Sequence, residues 1–188
     1  MGRVAMIIDD MFEDSEMRVP YDRLTAAGHE VVVVGRESRQ ELHGKRGQET
    51  VTTDEAIDDV SACQFDALVI PGGYSPHRLR TDDRMVALTR ALLQAGKPVA
   101  AVCHAGSLLI EAGIASGRTL TSWESIKTDL INAGARWVDD EVVEDGNLIT
   151  SRKPADLPAF CDATLRQPDG CIPEPAGLET GGAHRRSC

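Results

Sequence analysis

The chain has 188 residues, 41% of them hydrophobic and 27% charged, which suits one domain with a sizeable core and would cramp two. A formal net charge of −10, from 30 acidic against 20 basic residues, argues against a sequence-independent grip on nucleic acid or an anionic membrane. Aromatic residues at 4% argue against stacking platforms for single strands, and no run reaches the roughly 18 apolar residues of a membrane-spanning helix.

In chain order, "RVAMII" (3–8) reads as a buried strand and "DSEMRVPYDRLTAA" (14–27) as a helix stopped by Gly28. "EVVVVG" (30–35) is a second strand, and the polar stretch 36–53, with Gly44 and Gly47, a small rim hairpin. "FDALVIP" (65–71) follows as a third strand. "DDRMVALTRALLQA" (82–95) places Met85, Leu88, Leu92 and Leu93 on one helical stripe. "KPVAAV" (97–102) is a fourth strand, leading into a helix over "HAGSLLIEAG". Residues 136–151 carry a turn at "EDGN" and read as a second hairpin, and a last helix runs from Ala155 to about Arg166. The alternation predicts an α/β fold, doubly wound and mostly parallel, with helices on both faces and right-handed crossovers. The domain is expected over 1–166, with 167–188, rich in Pro and Gly, as a flexible tail. Short edge strands pair readily, so both hairpins are candidate assembly surfaces.

The five cysteines have no C-x-x-C pair and no regular spacing, so neither a disulfide framework nor a zinc site is expected. A reducing cytoplasm is the natural compartment, with Cys63, Cys161, Cys171 and Cys188 as incidental thiols. Also, "MGRVAMIIDD" turns acidic too soon for a signal-peptide core.

Cys103 stands apart. It ends the fourth strand at a strand-to-helix corner, with Ala101 and Ala105 two residues either side and Gly106 next. A nucleophile elbow requires small residues there, because its sharp turn crowds helix against strand. The helix N-terminus is expected to lower the thiol pKa. The alternative is one more small apolar residue in a buried core. Gly72 and Gly73, in "VIPGGYSP", end the third strand and can aim backbone N–H groups into the crevice as an oxyanion site, or serve an ordinary turn. Glu13, after the first strand, meets Cys103 if the first, third and fourth strands are neighbours, and a carboxyl held against a thiolate is fitted to move a proton. Otherwise it is helix N-terminal charge, a role open equally to Asp9, Asp10, Asp14 and Glu16.

In order along the chain, "FEDSE", "RLTAAGHEV", "FDALVIPGG", "GKPVAAVCHAG" and "TSWESIKTDLINAGARWVDDEVVEDGNLITSRKPADLPAF" resemble the ThiJ/PfpI family, over about residues 3–166. This family lies in the superfamily of class I glutamine amidotransferases, and the chain looks most like the branch of the intracellular protease PfpI, with its glyoxalases and proposed protein deglycases. The resemblance implies a flavodoxin-like fold, Cys103 as nucleophile, Glu13 as its carboxylate, and His104 as the histidine after the nucleophile. It implies Gly72 and Gly73 as the oxyanion site, with the His104 N–H as a further donor. It also implies a homodimer or homohexamer in which an acid near the "PGG" loop of a neighbouring subunit contacts the histidine. That position is His77 here, a departure that removes a carboxylate. Tyr74 is a candidate for the same contact or for the pocket mouth. Trp123 is read first as a core residue and second as a pocket wall.

By that resemblance the leading expectation is a cofactor-free enzyme on reactive carbonyls. It would turn methylglyoxal or glyoxal into a hydroxy acid, or remove early glycation adducts from protein, in stress protection. Peptide or amide hydrolysis is the second reading. It needs His104, whose ring, next in sequence to the nucleophile, is expected to point away from the sulfur. A non-enzymatic oxidant sensor or binder of damaged protein is the third. An amidotransferase lacks a histidine downstream other than His184, and no G-x-G-x-x-G supports a nicotinamide site.

Overall fold

The computed structural model describes residues 2–167, so the expected tail lies, from residue 168 onward, outside the described residues. The chain runs β1 (Arg3–Ile7), α1 (Asp14–Ala26), β2 (Glu30–Gly35), β3 (Glu41–His43), β4 (Thr50–Thr52), β5 (Glu55–Ala56), β6 (Ala67–Ile70), α2 (Ser75–Leu79), α3 (Asp83–Gln94), β7 (Val99–Val102) and α4 (Gly106–Glu111). It continues through β8 (Thr119–Leu120), α5 (Lys127–Asn132), β9 (Arg136–Trp137), β10 (Val142–Asp145), β11 (Leu148–Ser151) and α6 (Leu157–Arg166).

Seven strands form one sheet in the order β10-β11-β7-β6-β1-β2-β5, parallel except for the β10–β11 pair. The strand sequences explain why it is covered on both sides. Along β1, Ala5 and Ile7 face one core with Leu68, Ile70, Val99 and Ala101, under α3 and α4. Val4 and Met6 face the other, with Val33, Val69, Ala100 and Val102, under α1 and α6. Side chains alternate with period two, so apolar residues at every position require two apolar faces. Phe12, Phe65 and Phe160 are fully buried, each contributing about 1.5–3 kcal/mol.

Two expectations change. The hairpin expected over 136–151 is confined to 142–151: β9 pairs in parallel with β8, and β11 pairs in parallel with β7, extending the main sheet. The helix expected over 104–113 shortens to α4, because Cys103–Ala105 wind as a tighter 3-10 turn. The rim hairpin is present as β3–β4.

Strand order reverses direction at β1, which has β2 on one side and β6 on the other, with β7 beyond β6. Open α/β sheets leave a crevice at the carboxyl ends of strands at such a point. Here the chain leaves β1 toward Glu13, β6 toward Gly72 and Gly73, and β7 toward Cys103. Among the described residues no helix is long and apolar enough to cross a membrane.

Candidate active site

Cys103 is 5% exposed and sits at φ +62°, a left-handed conformation that costs a non-glycine residue about 1–3 kcal/mol. The strain is what the strand-to-helix corner imposes, and the Trp123 N–H helps hold it by donating to the Cys103 carbonyl at 3.2 Å. Around the sulfur the structure brings together residues from four segments.

The carboxyl group interacting with the Cys103 thiol is that of Glu16, not Glu13. Glu16 is 0% exposed and lies on the inward stripe of α1 with Met17, Pro20 and Leu24. Its Oε2 accepts the Gly72 N–H at 3.0 Å, while Oε1 is buried without a hydrogen-bond partner. An unpaired buried oxygen costs more on a charged carboxylate than on a neutral acid. Burial, and then the nearby Glu13, push the Glu16 carboxyl up to about 8, so it carries its proton at neutral pH.

Glu13 is drawn elsewhere. Its carboxylate lies 2.6 Å from Lys45 Nζ and 3.1 Å from Arg46 Nε, both on the β3–β4 turn. The adjacent Asp14 fastens that turn by accepting backbone N–H groups from Arg46, Gln48 and Glu49 at 2.8–2.9 Å. The hairpin therefore brings a cation to the crevice. Burial works against the Lys45 ammonium, but Glu13 outweighs it and raises the Lys45 pKa, with Cys103 and Glu16 contributing.

The expected lowering of the Cys103 pKa is not found. Burial pushes the thiol up to about 12, and Glu16 adds to the rise; the N–H groups of Gly73 and His104 act the other way. Counting helix N–H groups in the sequence omitted the apolar packing around the sulfur. Those two N–H groups stay directed at the sulfur, whereas the Gly72 N–H is taken by Glu16. Gly72 is instead a spacer. A Cβ there would lie 2.6 Å from Cys103 Cβ and 2.5 Å from Glu16 Oε2. Gly73 has φ +80°, and a Cβ on it would come within 2.4 Å of the Glu13 nitrogen.

The His104 ring turns toward the sulfur rather than away from it. Nδ1 is 3.2 Å from Cys103 Sγ, and Nε2 is 3.1 Å from Ser125 Oγ. Burial, then His77 and Lys45, hold its pKa below the usual imidazole range, so the ring is neutral at pH 7.

The profile of the DJ-1/PfpI family matches residues 2–167. The chain belongs to the DJ-1/PfpI family. It is 47% identical over 165 residues to "Protein/nucleic acid deglycase 2" of Escherichia coli, covering 87% of this chain and 96% of that protein. It is 48% identical over 162 residues to "General stress protein 18" of Bacillus subtilis, covering 85% and 94%. The crystal structure of Drosophila melanogaster DJ-1beta superposes with a TM-score of 0.82 at 32% identity, over 90% of this chain and 91% of that one. The flavodoxin-like α/β fold is that of these relatives.

Within this DJ-1/PfpI fold the outer residues fall as follows. Trp123 is 40% exposed, so it is not a core residue. With Ser122, Lys127, Trp137 and Lys153 it lines an open groove of about 300 Å³ beside the Cys103 carbonyl contact. Tyr74 is 59% exposed. His77 lies in the same chain with its ring 5.6 Å from that of His104, edge to face. Burial and then Arg80 lower its pKa, against Asp129. Cys161 is buried and free, whereas Cys63, expected as an incidental thiol, is disulfide-bonded. Cys171 and Cys188 lie outside the described residues. Glu16, Lys45 and Ser125 are the residues sequence reasoning missed or did not assign.

Proposed function

We propose that this protein is a cofactor-free enzyme of the glyoxalase and deglycase type, with Cys103 as nucleophile, Glu16 as acid and His104 as base. The observation that carries the reading is the pairing at one sulfur of a protonated carboxyl and a neutral imidazole. Titratable groups pushed apart in this way divide acid from base work. The relative named a protein/nucleic acid deglycase supports the same class of chemistry, and the one named a general stress protein supports a protective role. A cytoplasmic location is part of this proposal.

With methylglyoxal, the S–H proton passes to His104 Nδ1 as sulfur bonds to the aldehyde carbon, whose oxygen takes a proton from Glu16. The resulting hemithioacetal loses its C–H proton to the Glu16 carboxylate. Glu16 returns that proton to the adjacent carbon while protonated His104 gives its proton to the ketone oxygen; the hemithioacetal hydroxyl then gives its proton back to Glu16, and a thioester is left with both residues reset. Water then displaces sulfur, releasing lactate and restoring the thiol. Gly73 and His104 N–H groups stabilise the oxyanion in the hydrolytic step. On a glycated amine the same route begins with sulfur replacing nitrogen on the adduct carbon. Trp123 and its groove hold the carrier of the adduct. Homo-oligomer assembly, with the exposed Tyr74 and His77 as contacts, completes the proposal.

The test is glutathione-free conversion of methylglyoxal to lactate by wild type, Cys103→Ala and Glu16→Gln. Turnover that survives Cys103→Ala, or is absent in the wild type, overturns the reading. Amide hydrolysis gains support from the His104 ring contact with the sulfur, and release of an amine from a peptide substrate would favour it. A resting thiol pushed up to about 12 speaks against the oxidant-sensor reading, because oxidation follows thiolate character.

A further inference from the structure

We propose that Ser125 is the positioning residue for His104, standing within the same chain where the family resemblance expects an acid from a neighbouring subunit. The inference rests on His104 being the base of the reading above, but its geometry is independent of the substrate.

His104 is held at both ring nitrogens, by Sγ at 3.2 Å and by Ser125 Oγ at 3.1 Å. To accept the thiol proton, Nδ1 must be bare, so the ring hydrogen must sit on Nε2. With the thiol S–H donating to Nδ1 the ring hydrogen sits on Nε2, and the Ser125 hydroxyl, able to donate or accept, accepts from that N–H and fixes the ring. When Nδ1 takes the proton, the Nε2–H remains on Ser125. The same bond thus holds the ring before and after transfer, with S–H broken and N–H formed. A carboxylate there would hold the ring as well, but its charge would raise the imidazole pKa.

The surroundings fit a neutral anchor. The groups facing His104 are His77 on α2, Lys45 on the β3–β4 turn, and Cys103 itself. Behind His77 stand Arg80 and Asp129. None of these supplies a carboxylate to Nε2. Ser125 occupies the 3-10 turn Glu124–Ile126, just before α5, and the preceding Trp123 is bonded to the Cys103 carbonyl. One short segment therefore fixes both the nucleophile's backbone and the base's ring.

The test compares wild type with Ser125→Ala, Ser125→Thr and Ser125→Asp by three readouts. The first is the pH dependence of Cys103 alkylation by iodoacetamide, which needs no substrate. The second is kcat and KM for methylglyoxal, and the third is the His104 tautomer by nitrogen-15 NMR. Ser125→Ala is expected to cut alkylation at pH 7 and kcat by about tenfold, the loss of one neutral hydrogen bond, with KM little changed. It should also replace the single Nε2–H tautomer by a mixture. Ser125→Thr should restore both, and Ser125→Asp should move the low-pH limb of the alkylation profile upward. Unchanged alkylation and tautomer in Ser125→Ala overturn the inference. If wild type fails on methylglyoxal while alkylation and tautomer still respond to Ser125, the proposed function fails and the positioning role stands.

Discussion

Two free cysteines, Cys103 and Cys161, lie in the same apolar cluster beneath one face of the sheet, 5% and 2% exposed. Burial pushes both thiols up, to about 12 and about 11. By accessibility and acidity they are near equals, yet only one is arranged for chemistry. Cys161 sits in regular helix α6, where Arg23 and Asp162 nearby exert opposing effects on its pKa. Cys103 sits at positive φ, with backbone N–H groups, a neutral carboxyl and an imidazole all directed to its sulfur. The contrast teaches that backbone strain and polar company are what set Cys103 apart, while burial and a raised resting pKa are shared with a thiol in a regular helix.

The largest effect should come from exchanging the two. Cys103→Ala is expected to remove at least about a thousandfold of methylglyoxal turnover, since it deletes the nucleophile of the proposed reaction. Cys161→Ala should leave turnover within about twofold and cost roughly 1 kcal/mol of stability through the small void it opens. Steady-state kinetics and urea unfolding of both variants check this, and equal kinetic losses would break the contrast.

Next come the two carboxyls three residues apart. Glu16→Gln keeps the shape but removes the acid, and should lower kcat by about a hundredfold or more. Glu13→Gln, whose partners are Lys45 and Arg46, should cost about tenfold or less. The pH signature separates them further. A carboxyl whose folded pKa is raised favours the folded state while protonated, and that advantage is lost as pH rises. The Glu16 contribution should therefore fade between about 4.5 and about 8, where the carboxyl charges. Thermal unfolding followed over this range should fall more steeply in wild type than in Glu16→Gln. Identical slopes would show that Glu16 is charged throughout.

Much of this was legible in the sequence, and the failure at Glu13 is instructive. The four main strands, the elbow at Cys103 and the paired glycines follow from local patterns, which survive folding because they are set by steric needs within a few residues. Which acid faces the sulfur is decided by contacts from residues 45 and 46, more than 30 positions away, and helical phase alone does not reveal them. A signal was nevertheless present: Glu16, Pro20 and Leu24 recur every fourth residue with Met17 beside them, so an acid sits on the apolar stripe of α1. The parallel partner of β7 was hidden for a different reason. Thr150 and Ser151 read as a polar hairpin edge, but both are buried and bonded, to Thr121 and to Glu141.

A smaller loss in turnover should follow from filling the space beside the sulfur. Gly72→Ala puts a methyl group 2.6 Å from Cys103 Cβ, and backbone must shift to admit it. A stability cost of about 1–3 kcal/mol is expected, with kcat reduced because the Gly72–Glu16 bond is displaced. The opposite change near Cys161, Ala163→Gly, removes a buried methyl group from the same cluster, touches no group of the site and should leave kcat unaltered.

The smallest effect separates binding from chemistry. Trp123 gives its main chain to the Cys103 carbonyl and its exposed ring to the groove. Trp123→Ala retains the backbone bond, so the elbow and its acid and base stay in place and kcat should hold. What is lost is an aromatic wall, a loss that matters only for substrates large enough to reach it. Methylglyoxal, with five heavy atoms, should show nearly wild-type KM, whereas a glycated peptide should show KM raised about three- to tenfold, as expected for a lost apolar contact of roughly 1 kcal/mol. If both substrates suffer equally in kcat, Trp123 acts through Cys103 and the groove is not where the carrier binds.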